Sequence, residues 1–338
     1  MVPRIWGRRS LRPIYPAFDN LPEPIGEAWL SGVECVFAEG PFAGRPLGQA
    51  WDEMSGKWKG TGPGTNGNFP LLAKFLFPES KLSIQVHPDD AYAARVEAET
   101  GGSGKTEMWH VLAADPGAEV LLGLAPGMDA GSLRRAIADG SVETKLRRVA
   151  VAPGDTIYIP AGTVHAIGPG VLLCELQQYS DITYRLFDYN RVDARGNRRA
   201  LHVEKALDVI EFGSSAAGMT KPVSHWRGPV EVTELAACRY FWAERWRLER
   251  PAEVSASKEH FDLLIVLAGT GTITGDMGER DYHPGETWFV AADHTGFRIE
   301  PASATTLLRS SVADLGSLKQ RLAAEGVTKT EMAGFLFE

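Results

Sequence analysis

A succession of short apolar runs constrains this chain most. The segments at 69–77, 81–87, 107–114, 119–124, 155–161, 170–179 and 182–189 are rich in β-branched and aromatic residues, and Gly, Pro, Asp or Asn separates most of them. Runs of that length closed by such punctuation read as strands, and many of them in series predict an antiparallel sandwich or barrel. Helical patterns interrupt them at 89–99, 128–140, 141–149 and 201–212. In the last, Val203, Ala206, Leu207 and Ile210 share one helical face. The small, polar stretch 213–229 predicts a linker. A second β-rich block follows, closed by an amphipathic helix near 314–325 that carries Leu315, Leu318 and Leu322. A chain of 338 residues is long enough for about two domains.

Charge and cysteine content narrow the class. With 35 basic against 43 acidic residues, the net charge of −8 works against non-specific nucleic-acid binding. Cys35, Cys174 and Cys238 cannot all pair within one chain, which points to a reducing compartment. No apolar run approaches a membrane span, and no apolar stretch follows the basic N-terminal residues as a signal peptide requires. The expectation is a cytoplasmic protein, monomeric or weakly dimeric, that meets neither nucleic acid nor membrane.

Three segments carry the chemistry. In an extended LSIQVHP (82–88), Ser83, Gln85 and His87 face away from Leu82, Ile84 and Val86. A buried polar stripe needs partners or a metal, whereas on an open sheet the same stripe simply faces water. In GKTEMWHV (104–111), Lys105 and Glu107 share a parity with Trp109; a surface ion pair is the blander reading. The third segment, PGDTIYIPAGTVHAIG, sets Gly154, Pro160, Gly162, His165 and Gly168 in the spacing G-x5-P-x-G-x2-H-x2-G. This spacing resembles the second signature motif of the cupins, small β-barrels that hold a metal at one mouth. Gln85, His87, Glu107 and His165 together offer two imidazoles, a carboxylate and an amide oxygen, a donor set suited to Zn²⁺, with Fe²⁺, Mn²⁺ and Co²⁺ open alternatives.

Taken in order, QVHPDD, GKTEMW, PAGTVHA and SDITYRLFDY resemble type I phosphomannose isomerase in its short bacterial form, continuously from about Leu71 to Ile210. The resemblance implies a mainly β fold of two cupin-like barrels. The first, over 1–212, carries a helical insertion at about 125–149 and a closing helix at 201–212. Residues 213–229 are the linker, and 230–338 form a degenerate, metal-free barrel. The resemblance further implies one zinc per chain, in the first barrel, on His87, Glu107 and His165 with Gln85 as fourth ligand. It makes Arg185 catalytic and gives Lys105 and Asp181 parts in substrate handling and proton transfer. The activity it implies is interconversion of mannose 6-phosphate and fructose 6-phosphate through a cis-enediol(ate).

That chemistry accounts for the residue types. Charge developing on oxygen needs a metal or a fixed cation, and Arg185 is a cation that does not deprotonate. In an extended DITYR, Asp181 and Arg185 share a parity; without the resemblance, an ordinary ion pair is the leading reading. Asp181, Glu175, Lys105 and a metal-bound water are all candidate bases. Lys105 and Arg185 are the natural cations for a sugar phosphate, with Ser83 and Glu175 as further substrate contacts. In the second block His260, His283 and His294 stand singly, and His225 falls in the linker. Two other readings remain: the same chemistry on another sugar, and a non-catalytic sugar-binding bicupin. A non-haem iron oxygenase shares the ligand types but has no use for SDITYR.

Overall fold

The computed structural model describes residues 1–193, 195–213, 216–255, 257–312 and 314–338. The chain divides into two compact units. The first comprises Met1–Leu11, Asp19–Ala28 and Lys74–Met219; the second comprises Arg12–Phe18, Trp29–Ala73 and Thr220–Glu338. This is not a single cut at 213–229, because residues 29–73 group with the C-terminal block. Aromatic packing within the second unit explains the assignment. The Trp51 ring lies 5.3 Å from both Phe69 and Phe261, and Phe261 stacks on Phe289 at 5.3 Å.

Strands dominate the first unit: β1 (Val2–Arg8), β2 (Ile25–Ser31), β3 (Leu71–Leu76), β4 (Ile84–Val86), β5 (Glu107–Ala114), β6 (Glu119–Leu124), β7 (Leu146–Ala150), β8 (Thr156–Ile159), β9 (His165–Ile167), β10 (Val171–Gln178), β11 (Tyr184–Phe187) and β12 (Gly218–Met219). They form a seven-stranded sheet, ordered β1-β2-β3-β10-β5-β8-β12, and a five-stranded sheet, β11-β4-β9-β6-β7. This is the mainly β, cupin-like architecture expected.

Alternation decides what each strand offers. Val120, Leu122 and Ile167 of the smaller sheet pack with Trp109, Val111, Ile157, Ile159, Val171 and Leu173 of the larger one. Ile84, Val86, Leu121, Ala166, Tyr184 and Leu186 face the other way, into a cluster with helix residues Leu133, Ala136, Ala206 and Ile210. With period 2, Gln85, His165 and Arg185 therefore lie on the inner face. On β5 and β10 the inner parity runs from apolar Val111, Trp109, Val171 and Leu173 to polar Glu107, Glu175 and Gln177, so one end of the core is polar.

Two local expectations are corrected. The stretch 141–149 is not a helix but a 3-10 turn, Val142–Lys145, followed by β7, which pairs with β6. Gly140 takes φ +79° and ends the preceding helix, and the ladder with β6 then outcompetes helical propensity. The region expected as a linker pairs too: β12 joins β8, and β13 (Val223–Arg227) joins β14 (Val230–Ala237), placing His225 on a strand. Ser214 and Ser215 of that region lie outside the described residues.

The second unit continues with β15 (Trp242–Leu248), β16 (Ala252–Val254), β17 (Asp262–Ala268), β18 (Gly271–Gly275), β19 (Gly278–Tyr282), β20 (Thr287–Val290), β21 (Phe297–Pro301) and β22 (Thr305–Ser311). These build a six-stranded sheet, β13-β14-β15-β22-β17-β20, and a four-stranded one, β16-β21-β18-β19. Their core holds Val232, Trp246, Leu264, Val266, Ile299 and Leu307. The closing helix, Leu315–Ala324, lays Leu318 and Leu322 against Trp242. Among the described residues no helix is long and apolar enough to cross a membrane.

Candidate metal centre

Local backbone geometry positions the polar end of the first unit. In the PAGTVHA turn Gly162 takes φ +84°, which a side chain would strain, and its N–H donates to the His87 carbonyl at 2.8 Å. That bond ties the His165 turn to the His87 segment. A Cβ on Gly104 would lie 2.5 Å from the backbone nitrogen of Asp90, so only glycine allows the approach that precedes Lys105. The register then sets Arg185 opposite Gln85, and Gln85 opposite His165.

Both imidazoles are held by Nδ1 against a backbone carbonyl. His87 Nδ1 lies 2.7 Å from the Ile182 carbonyl oxygen, and His165 Nδ1 lies 3.0 Å from that of Thr163. A carbonyl only accepts, so each Nδ1 carries the proton and each Nε2 presents its lone pair. Burial depresses both pKa values, with the nearby Lys105 charge adding to the effect; His165 falls to about 4 and His87 lies well below its usual value. Glu107 is fully buried, and its Oε1 accepts no hydrogen bond although His165 Nε2 stands 3.3 Å away. The ligating atoms of His87, Glu107 and His165 all lie within 4.8 Å of one another. Two neutral imidazoles, whose Nε2 lone pairs face the Lys105 ammonium and the Gln85 amide, around a carboxylate oxygen that accepts no hydrogen bond fit a divalent cation. Gln85 lies 3.2 Å from His165 Nε2 through its amide end. Exchanging its amide O and N, which are nearly isoelectronic, turns the oxygen toward the same point.

Charged groups surround this centre. Lys105 Nζ contacts Glu107 Oε2, lies 3.2 Å from His87 Nε2 and 3.9 Å from Glu175 Oε1. Burial is the largest influence on Lys105 and opposes its charge, yet the combined pull of Glu107 and Glu175 raises its pKa. Burial raises the pKa of Glu175, whose Oε2 accepts from Trp109 Nε1 at 3.1 Å. Ser83 Oγ donates to Gln85 Oε1 at 3.2 Å. Asp181, whose side chain is 64% exposed, joins the group through Lys74, which sits 3.8 Å from it and 3.7 Å from Glu175. Asp181 precedes β11 rather than lying in it, so it does not share a strand face with Arg185. The backbone there is turned to aim the Ile182 carbonyl at His87. Arg185 is half-buried, and its Nε has no hydrogen-bond partner.

The sequence does not single out Lys74, or Trp109 as the partner of Glu175; both lie within the stretch from about Leu71 to Ile210 that carries the resemblance, and that is the one available signal. A second His–carboxylate group, His225, Glu234 and Glu325, lies in the second unit. There Arg227 already forms two bonds to Glu325, at 2.9 and 3.0 Å, and approaches Glu234 at 3.9 Å. A guanidinium supplies positive charge to those carboxylates.

The fold and site define a two-cupin protein with a His–Glu–His centre in its first unit. Residues 5–107 match the catalytic domain of phosphomannose isomerase type I, and residues 231–311 match the cupin domain of mannose-6-phosphate isomerase. The mannose-6-phosphate isomerase of Streptococcus mutans is 37% identical over 279 residues, covering 81% of this chain and 84% of that one. The crystal structure of the Bacillus subtilis mannose 6-phosphate isomerase superposes with a TM-score of 0.82 at 32% identity, covering 91% of this chain and 96% of that one. A zinc-bound mannose 6-phosphate isomerase shares the fold, with a TM-score of 0.71 at 16% identity over 92% of this chain and 97% of that one. The chain belongs to the type I phosphomannose isomerase family.

Proposed function

We propose that this enzyme interconverts mannose 6-phosphate and fructose 6-phosphate, with one zinc ion per chain, held in the first unit by His87, Glu107, His165 and Gln85. The observation that carries the reading is the pair of imidazoles tied by Nδ1 to backbone carbonyls, with both Nε2 atoms turned toward the buried Glu107 carboxylate. When bound, the metal supplies Lewis acidity toward the adjacent sugar oxygens.

The chain's own residues do the rest. Arg185 brings a fixed positive charge to the inner face beside Gln85, where it stabilises oxyanion character as the enediol(ate) forms. Glu175, Asp181 and Lys105 are the groups that carry a proton between C1 and C2. Glu175 is the best held of the three, fixed by Trp109 and kept protonatable by burial. Lys74, Lys105 and Arg185 supply positive charge for the phosphate, and Ser83 steadies Gln85. The family's metabolic chemistry supports a cytoplasmic setting.

The test is a coupled isomerase assay on zinc-loaded protein with mannose 6-phosphate, other hexose phosphates and free mannose, with and without chelator. Turnover confined to mannose 6-phosphate and abolished by chelation is expected. Turnover restricted to another sugar, or oxygen uptake in place of isomerisation, would overturn the reading.

A further inference from the structure

The second unit holds a cavity of about 560 Å³ that the isomerase reading does not use. This is the volume of a small-molecule site. Strand register explains its polar wall. Glu244 on β15 stands opposite Glu234 on β14 and Arg309 on β22, and Arg309 stands opposite Leu264 on β17. The next inner row is the apolar Val232, Trp246, Leu307 and Val266. The cavity thus sits where the core turns from apolar to charged.

Not every donor there is matched. Glu244 is wholly buried, and its Oε1 accepts from Trp246 Nε1 at 2.8 Å and from Arg227 and Arg309 at 3.0 Å each. Arg321 reaches the other oxygen only at 3.6 Å. Asp262 and Glu325 take further arms of Arg309 and Arg227. Arg321 Nη2, Arg309 Nε and Trp242 Nε1 are then buried donors with no hydrogen-bond partner. They are grouped: the Arg321 and Arg309 guanidiniums lie 4.9 and 5.2 Å from the Trp242 ring centre, and all three residues line the cavity. Buried donors without acceptors are costly, and a cluster of them beside an open cavity calls for an acceptor brought by a ligand.

We propose that this cavity binds a small, sugar-sized anion, with its carboxylate or phosphate group held by Arg321 and Trp242. Arg321 is the anchor because a guanidinium forks onto an oxyanion and only one of its arms is engaged. Ser255, Ser257 and Gln320 offer hydroxyl and amide groups to the uncharged part of the ligand. Glu253 and Glu259 on the same wall disfavour a polyanion, which limits the ligand to one oxyanion group.

The test is calorimetric titration of the intact, zinc-loaded protein with glucuronate, inorganic phosphate and glucose. One or both anions bind and neutral glucose does not; which anion binds separates a carboxylated from a phosphorylated ligand. Binding persists in Arg185→Ala, which places it outside the isomerase centre. Arg321→Gln weakens it roughly tenfold or more, the loss expected for a hydrogen bond to a charged group, while turnover of mannose 6-phosphate stays unchanged. Trp242→Phe keeps the ring and removes the donor, giving a smaller loss of the same sign. In the wild-type protein the Trp242 indole N–H resonance shifts on saturation, a readout that needs no folded variant. Absence of binding by both anions, loss of binding with Arg185→Ala, or affinity unchanged in both cavity variants overturns the proposal.

Discussion

Arg185 stands directly opposite Gln85 in the antiparallel pairing of β11 with β4, so a cation and a candidate ligand share one face by register alone. Charge and metal binding are then separable. Arg185→Ala should retain zinc near wild-type content while turnover falls roughly 10²-fold or more, the usual value of one preorganised charge facing an oxyanion. Lys at this position should rescue only part, because a point charge does not reproduce a planar fork. Zinc stoichiometry and steady-state kinetics on the same preparation check this; full zinc with normal turnover would make Arg185 structural.

Removal of a ligand should act on both properties. His87→Ala, Glu107→Ala and His165→Ala are each expected to lose zinc and activity together. Chelation of the wild-type enzyme should abolish turnover reversibly and lower Tm, since a ligand that binds only the native state stabilises it. Elemental analysis with thermal melts before and after zinc restoration measures it. Activity that survives in zinc-free protein would remove the metal from the reaction.

The second unit should titrate through Glu234. Burial, then the neighbouring Glu244 charge, raises its pKa to about 7, while Arg227, Arg309 and Arg321 hold Glu244 ionised. The His225 hydrogen bond from β13 and the charges of Arg321 on the closing helix and Arg227 on β13 also act on it and are insufficient to reverse the shift. The folded state therefore binds the Glu234 proton more tightly than the unfolded chain does. Its contribution to stability is complete below the ordinary Glu range and is lost as pH rises through about 7. Glu234→Gln should raise stability by on the order of 1–2 kcal/mol at about pH 8 and have little effect at about pH 5. Denaturant melts at the two pH values decide it, and equal effects at both would refute the shift.

Stability should not depend on disulfides. No disulfide joins Cys35, Cys174 or Cys238, and burial pushes the Cys174 thiol well above its usual range and Cys35 up to about 11. Thermal melts with and without reductant should coincide; a loss of several degrees on reduction would contradict this.

The candidate centre was legible because its parts are local. QVH, KTE and the glycine-spaced GTVH each fix one or two side chains within a few residues, and the structure brings Gln85, His87, Glu107 and His165 to one point. Its supports were not legible. The carbonyls of Ile182 and Thr163 are groups every residue carries, and no pattern marks which one meets an imidazole. The parity that linked Asp181 to Arg185 assumed an extended backbone, but β11 begins only at Tyr184. The grouping of 29–73 with the C-terminal unit likewise has no local signature. Trp51 and Phe69 read as ordinary apolar residues until Phe261 and Phe289 are placed beside them.

That aromatic cluster bears on the order of synthesis. The last segment of the first unit ends at Met219, so this unit has its whole sequence in hand while the chain is still being made. Trp51 and Phe69 emerge from the ribosome early, yet their ring partners Phe261 and Phe289 come much later. Through that interval Trp51 and Phe69 have only each other of this cluster to pack on. Apolar surface left open in a growing chain is prone to aggregation, and for these two rings that exposure ends once β20 has been released.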